Sequence, residues 1–347
     1  MTALTEKHLR DILSIAIKHS PAHQAVVVYD KRCDLAVTLT EADRRCLPQA
    51  KYIDFDEVSP SETLDALQSL QALDLVVLIQ STNFRLDTFR IRVELFNRSL
   101  KVIEHPHLAR MQGAEAEYYI DSLAYDPAYY RGVGAALKAR IDRAQKAVID
   151  SGGEELTFTS GFESAKLNVG DYTGMKNVGG QFPIGEVFTE ARDLESVNGR
   201  MRLFVFGDTS FAVNLPKKPI TLVISRGRVV EAIDATAEFE RVLSNIRADE
   251  GEVWVRELGF GMNRAFTRER IVSDIGTYER MCGVHLSLGA KHALFKKPNF
   301  TRKLARHHVD VFAVTESVAL DGVVVYQNGA WQATGFPYAE SSISLIT

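Results

Sequence analysis

The chain has 347 residues, of which 46% are apolar and 25% charged, and it carries a net charge of −4. This length is enough for two domains and a substantial core, and the charge balance excludes a basic surface built for nucleic acid. Cys33, Cys46 and Cys282 form no Cys-x-x-Cys pair, which excludes a thiolate zinc site and a disulfide framework and points to reduced thiols in a cytoplasm.

No apolar run reaches the ~18 residues of a membrane-spanning helix. Charges at Glu6, Lys7, Arg10, Asp11 and Lys18 leave no room for a signal-peptide core. Leu9, Ile12, Leu13 and Ile17 instead follow the spacing of an amphipathic first helix. Residues 24–29 (QAVVVY) read as a buried strand and 51–55 as a shorter one. Ser59, Pro60 and Glu62 make a capping box with proline at the first helical position, opening a helix through Leu64, Leu67, Leu70 and Leu73. Residues 75–79 (LVVLI) and 100–103 give two more strands. Strand–helix alternation predicts a parallel sheet with covering helices, a Rossmann-like α/β domain over residues 1–125. No Gly-x-Gly-x-x-Gly follows its first strand, so nucleotide binding is not expected.

A helical pattern runs over 127–150, ended by Ser151-Gly152-Gly153. Gly132 and Gly134 resemble a phosphate loop only superficially, because no strand precedes them; helix packing is the expected role. From residue 155 strands dominate, at 156–160, 202–206, 221–225, 229–233, 253–256, 309–314 and 323–326. Turn signals stand at Ser225-Arg226-Gly227 and Gln327-Asn328-Gly329, and one helix is predicted at 235–247. Residues 126–347 are therefore expected to form a strand-rich α+β catalytic domain.

Five candidate metal ligands are scattered through this second half: Glu186, Glu257, His285, His308 and Asp310. His308 and Asp310 stand two apart in a strand, so both side chains leave one face and can reach one ion, while His307 faces away. Glu257 ends an apolar strand beside Gly259 and Gly261, residues that let other backbone come close. His285 lies inside an apolar strand, and Glu186 follows Pro183 and Gly185 in a turn. Glu190, Asp193 and Glu195 read as solvent-facing. Each ligand taken alone has an ordinary explanation, as a core histidine or a loop carboxylate. Together, two glutamates, two histidines and an aspartate suit a pair of divalent ions.

At these residues the chain resembles the aminopeptidase T and aminopeptidase S family of thermophile-type metallo-aminopeptidases. The motifs stand here as Pro183-Ile-Gly-Glu-Val-Phe188, Glu257-Leu-Gly-Phe-Gly-Met-Asn263, His285-Leu-Ser-Leu-Gly289 and His308-Val-Asp310. The following Asp321-Gly-Val-Val-Val-Tyr-Gln-Asn-Gly329 is similar to the family's final hairpin. The resemblance implies metal ligation by Glu186, Glu257, His285, His308 and Asp310, with Glu257 bridging ions or assisting the attacking water. It also implies two metals, a dimer and removal of N-terminal residues from peptides. The sequence departs where the family carries a catalytic tyrosine, since His292 stands there. The approach to His308 also differs, with Lys297-Pro-Asn299 and the basic stretch 301–306.

A related branch of the same architecture resembles 2,5-dihydroxypyridine dioxygenase, a mononuclear iron(II) enzyme. That branch does not keep the first glutamate and middle histidine as ligands and puts histidine in place of the Glu-Leu-Gly glutamate. This chain keeps Glu186, Glu257 and His285. The expected function is thus a metallohydrolase, an aminopeptidase or specialised amidase with Glu257 and His292 catalytic and two divalent ions of zinc, cobalt or manganese. The alternative is a non-haem iron(II) dioxygenase for a small aromatic or heterocyclic compound. A homodimer acting on a peptide or small-molecule substrate, with neither nucleic acid nor membrane as partner, is expected in either case.

Overall fold

The computed structural model describes residues 2–84, 91–292, 294–297, 300 and 305–332. Asn299 and most of the basic stretch before His308, residues 301–304, lie outside the described residues.

The first sheet is parallel throughout. Its early strands are β1 (Ala25–Tyr29), β2 (Lys51–Asp54), β3 (Leu75–Ile79) and β4 (Lys101–His105). Every residue of β3 is buried, as expected of a strand covered on both faces. Val27, Val77 and Ile79 pack with α1 (Thr2–Asp11) and α2 (Asp34–Cys46). Val26, Val28, Val76 and Leu78 face the opposite way, into a cluster with α3 (Pro60–Gln68) and α4 (Ile91–Asn97). Ser59 caps α3 as expected: its hydroxyl accepts from the Glu62 N–H, and its own N–H donates to the Glu62 carboxylate at 2.9 Å. The helix is shorter than its leucine pattern suggests, because Leu73 lies beyond its end at φ +73° and 47% exposed.

α5 (Ala114–Ser122) and α6 (Pro127–Ile141) lead into the second half. The predicted helix over 127–150 is corrected here, since residues Ala147–Asp150 form a strand, β5. The Asp321 carboxylate accepts from the N–H groups of Gln145 and Lys146, and β5 then pairs with β6 (Glu155–Phe158) and β17 (Ser317–Leu320). Long-range pairing thus ends the helix where local propensity would continue it. Gly134 has the packing role expected of it: a Cβ there would stand 2.7 Å from Val169 Cγ1.

The next strands are β7 (Lys166–Asn168), β8 (Val178–Gln181) and β9 (Glu186–Glu190). β8 leaves its neighbours and becomes the fifth strand of the first sheet, whose order is β2–β1–β3–β4–β8. The chain continues through β10 (Asn198–Gly207), β11 (Val213–Asn214), β12 (Ile220–Ser225), β13 (Arg228–Ile233), α7 (Ala237–Glu250), β14 (Val255–Gly261), α8 (Ile275–Tyr278), β15 (Gly283–Leu288), β16 (Val309–Ala313), β18 (Val323–Gln327) and β19 (Ala330–Trp331). These strands build a large curled antiparallel sheet, in which β10–β16–β15–β14–β9–β7 is one continuous run. All residues of β14, β15 and β16 are buried. Among the described residues no helix is long and apolar enough to cross a membrane.

Candidate metal centre

The four neighbouring strands β16, β15, β14 and β9 bring the scattered sequence motifs onto one face. Glu186 opens β9 rather than lying in a turn, and Glu257 sits inside β14 rather than at a strand end. Strand pairing sets Gly259 opposite His285, and Asp310 opposite Ser287. The β14–β15 register slips between Val255 and Leu258. Such a bulge sets extra residues on one strand and re-aims their side chains. The Glu257 N–H donates to Ser287 Oγ at 3.0 Å, and the Glu257 carboxylate faces the site. Arg256 is directed elsewhere, into a fully buried ion pair with Glu190. Glu190 is therefore not solvent-facing as its sequence context suggests; burial is tolerated because Arg256 supplies both charge and hydrogen bonds.

His285 lies across β14 only because residue 259 is glycine. A Cβ at Gly259 would fall 2.0 Å from His285 Cε1 and 2.1 Å from Nε2. The ring's Nε2 stands 3.4 Å from Glu186 Oε1 and 3.5 Å from Glu257 Oε1, yet it is buried with no hydrogen-bond partner. Glu186, Glu257 and His285 can thus offer three donor atoms to one cation. A second trio adjoins it, made of Glu279, His308 and Asp310. His308 Nε2 is 3.2 Å from Asp310 Oδ1, and that oxygen too is buried without a hydrogen bond. The His308 Nδ1–H donates to the Lys291 carbonyl at 3.1 Å, which leaves Nε2 free to accept a proton or a cation. The orphaned nitrogen and oxygen, aimed among carboxylates, fit a site made for metal.

The electrostatics agree. Burial would push the Glu257 carboxyl up, but the nearby His285 ring, the hydrogen bond from His292 and the His308 ring outweigh it and hold the group well below the usual range. Burial alone would lower His285 and His308; contacts with Glu186 and Glu257 at the first, and with Asp310 at the second, raise both instead. A cation entering here displaces protons from these rings.

His292, at the family's tyrosine position, reaches the site. Its Nε2–H donates to Glu257 Oε2 at 2.7 Å, and its Nδ1 accepts from the N–H groups of Leu294 and Phe295 at 3.2 Å. The two backbone donors fix the tautomer with its proton on Nε2. His307 turns away to Asp249 at 2.7 Å, as expected.

Two residues of the centre escaped the sequence reading. Glu279 and Arg280 follow the short helix α8, where neither spacing nor a motif marks them. Burial and the nearby Asp310 carboxylate push Glu279 up, and Arg280 offsets them only in part. The N-terminal half fixes this helix: Asp274, its N-cap, accepts from His107 Nδ1 at 3.0 Å and Arg110 Nη1 at 2.9 Å.

The centre opens into a cavity of about 580 Å³ whose wall includes Phe188, Phe211, His292, Leu294 and, from α4, Arg92. A larger cavity of about 670 Å³ lies beside α1 and the starts of β1 and β2, but no carboxylate lines it. Of these two, only the smaller cavity is lined by candidate metal ligands.

No protein-family model matches the sequence, and no curated protein is similar to it in sequence. Solved structures do share its fold. The 2,5-dihydroxypyridine dioxygenase of Pseudomonas putida KT2440 superimposes with a TM-score of 0.63 at 14% identity, over 96% of this chain and 98% of that one. AmpT from Thermus thermophilus gives a TM-score of 0.58 at 12% identity, over 95% of this chain and 99% of that one. Both branches suggested by the motifs are thus represented among proteins of this architecture.

Proposed function

We propose that the chain is a metal-dependent hydrolase cleaving a peptide bond or a related amide, with two divalent ions at its centre. The observation that carries this reading is the meeting of two ligand trios, from β9, β14, β15, the end of α8 and the start of β16. Glu186, Glu257 and His285 would hold one ion, and Glu279, His308 and Asp310 the other. Once the rings are neutral and all four carboxyls ionised, as ligation requires, four carboxylates against the single guanidinium of Arg280 leave more negative charge than one dication neutralises. Divalent ions supply such a site with a polarised carbonyl and a water of lowered pKa. Glu257 is placed to accept a proton within the cavity. The Nε2–H of His292, which donates to Glu257 in this arrangement, would have to turn from that carboxylate to donate to an oxygen that gains negative charge. The small cavity suits a short peptide or small amide. A homodimeric, cytoplasmic enzyme belongs to the same proposal.

A second reading has its own support. The fold is shared with a dioxygenase, and Arg280 already places one fixed positive charge between Glu186 and Glu279. A single iron(II) acting on a small aromatic or heterocyclic substrate is that alternative. The test compares di- and tripeptides with dihydroxylated heteroaromatics, in air and without oxygen, with zinc, cobalt, manganese or iron(II). Peptide or amide cleavage that is indifferent to oxygen and lost in Glu257→Gln is the expected result. Oxygen uptake matched to ring cleavage, with iron(II) alone, would replace the hydrolase by the oxygenase.

A further inference from the structure

Arg280 is an unusual neighbour for a metal centre. It is buried, and its Nη1 contacts one carboxylate from each trio: Glu186 Oε2 at 3.4 Å and, in a close hydrogen bond, Glu279 Oε2. The same nitrogen donates to the Gly276 carbonyl at 3.3 Å, while the buried Nε has no hydrogen-bond partner. The carboxylates, rather than a complete set of hydrogen bonds, hold the guanidinium in place.

The two contacts are unequal. One oxygen of Glu279 is fully engaged by Arg280, whereas Glu186 is touched at the long end of ion-pair distance and keeps Oε1 turned to His285. A cation binding with Glu279, His308 and Asp310 must therefore share Glu279 with a fixed positive charge that already holds one of its oxygens. A cation binding with Glu186, Glu257 and His285 meets that charge less closely. Arginine stays charged at all working pH values, so the competition cannot be relieved by losing a proton.

We propose that Arg280 is a built-in counter-ion that makes the two metal positions unequal. The Glu186–Glu257–His285 ion is held tightly, and the Glu279–His308–Asp310 ion is weaker and exchangeable. The guanidinium also stands in for metal when the centre is empty, since it keeps Glu186 and Glu279 from facing each other uncompensated. This inference rests on the two-ion reading.

Metal-stripped protein is titrated with Mn²⁺ by calorimetry, with total bound metal measured by elemental analysis and melting followed with and without metal. The wild type is expected to take up two ions with Kd values at least tenfold apart. Arg280→Met should tighten the weaker class at least tenfold, because a like charge a few ångström from the ion is removed. It should also melt lower than the wild type without metal and regain more on adding it. Arg280→Lys, which keeps the charge, should stay closer to the wild type. Glu279→Gln serves if Arg280→Met does not fold: it should abolish the weaker class and leave the tight one within about threefold. Two equal classes in the wild type, or an unchanged weaker class in Arg280→Met, would overturn the inference while leaving the two-ion reading intact. Loss of the tight class in Glu279→Gln would overturn it as well. One ion in both the wild type and Arg280→Met would remove the two-ion reading and this inference together. One ion in the wild type and two in Arg280→Met would likewise remove the two-ion reading of the native centre and, with it, this inference.

Discussion

Gly259→Ala tests whether the centre depends on backbone space rather than on ligand identity alone. The substitution changes no candidate ligand, and the glycine is not in the left-handed region, so strain of that kind is not at issue. The added methyl would lie 2.0 Å from His285 Cε1 and 2.1 Å from Nε2, where ordinary contact needs about 3.5–4.0 Å. The imidazole must therefore move by about 1.5 Å, or β14 and β15 must separate. Either movement takes Nε2 away from its present 3.4 and 3.5 Å spacing to Glu186 and Glu257. Disturbing the orientation of a ligand typically costs ~10–100-fold in metal affinity, and overpacking a buried position costs about 1–3 kcal/mol of stability. The assay is metal titration of stripped protein together with thermal unfolding of the metal-free form. Gly276→Ala is the control, since its Cβ would meet nothing closer than Gln181 Nε2 at 3.5 Å. It should bind metal as the wild type does. If Gly259→Ala also binds metal with wild-type affinity and melts unchanged, His285 is not held across β14 as a ligand.

Two further outcomes follow from buried polar groups. His292→Ala should retain metal and lower turnover by ~10²–10⁴-fold, the range for a positioned acid–base group; wild-type turnover with full metal content would make His292 a bystander. Asp43 is fully buried in α2, with Oδ2 lacking a partner, and burial raises its carboxyl from 3.8 to about 7. A raised carboxyl contributes its stability below the unfolded value, and that stability is lost as pH rises from about 4 through about 7. At pH 8 the burden is at most about 4 kcal/mol. Asp43→Asn should therefore raise the melting temperature at pH 8 relative to the wild type, and do so much less at pH 4. An equal effect at both pH values, read by thermal unfolding, would show that Asp43 carries no burial penalty.

Much of the local architecture was decided by the sequence itself. The run Leu75–Ile79 has to be a strand covered on both faces, because nothing in it tolerates water. Ser59 and Glu62 start α3 through contacts three residues apart. His308, which stands just before β16 rather than inside it, still reaches the side of Asp310, 3.2 Å away, because extended backbone repeats its side-chain direction every two residues. These features depend on neighbours in the chain, so the order of residues is enough to specify them. The ligand types at Glu186, Glu257 and His285 were legible in the same way, as motifs with chemistry suited to metal.

Only tertiary structure decided how these pieces meet. The bulge at Arg256 and Glu257 sends one side chain to buried Glu190 and the other to the cavity, a choice set by pairing with β15 and β9. Residues 147–150 become a strand because β6 and β17 pair with them, although their own pattern continued a helix. Glu279 and Arg280 carry no local mark; α8 positions them through an N-cap held by His107 and Arg110, more than 150 residues earlier in the chain. The role of Gly259 likewise becomes visible only once His285 lies across it from the neighbouring strand. A sequence encodes such arrangements through the summed energy of distant contacts, and no short window of residues contains that sum.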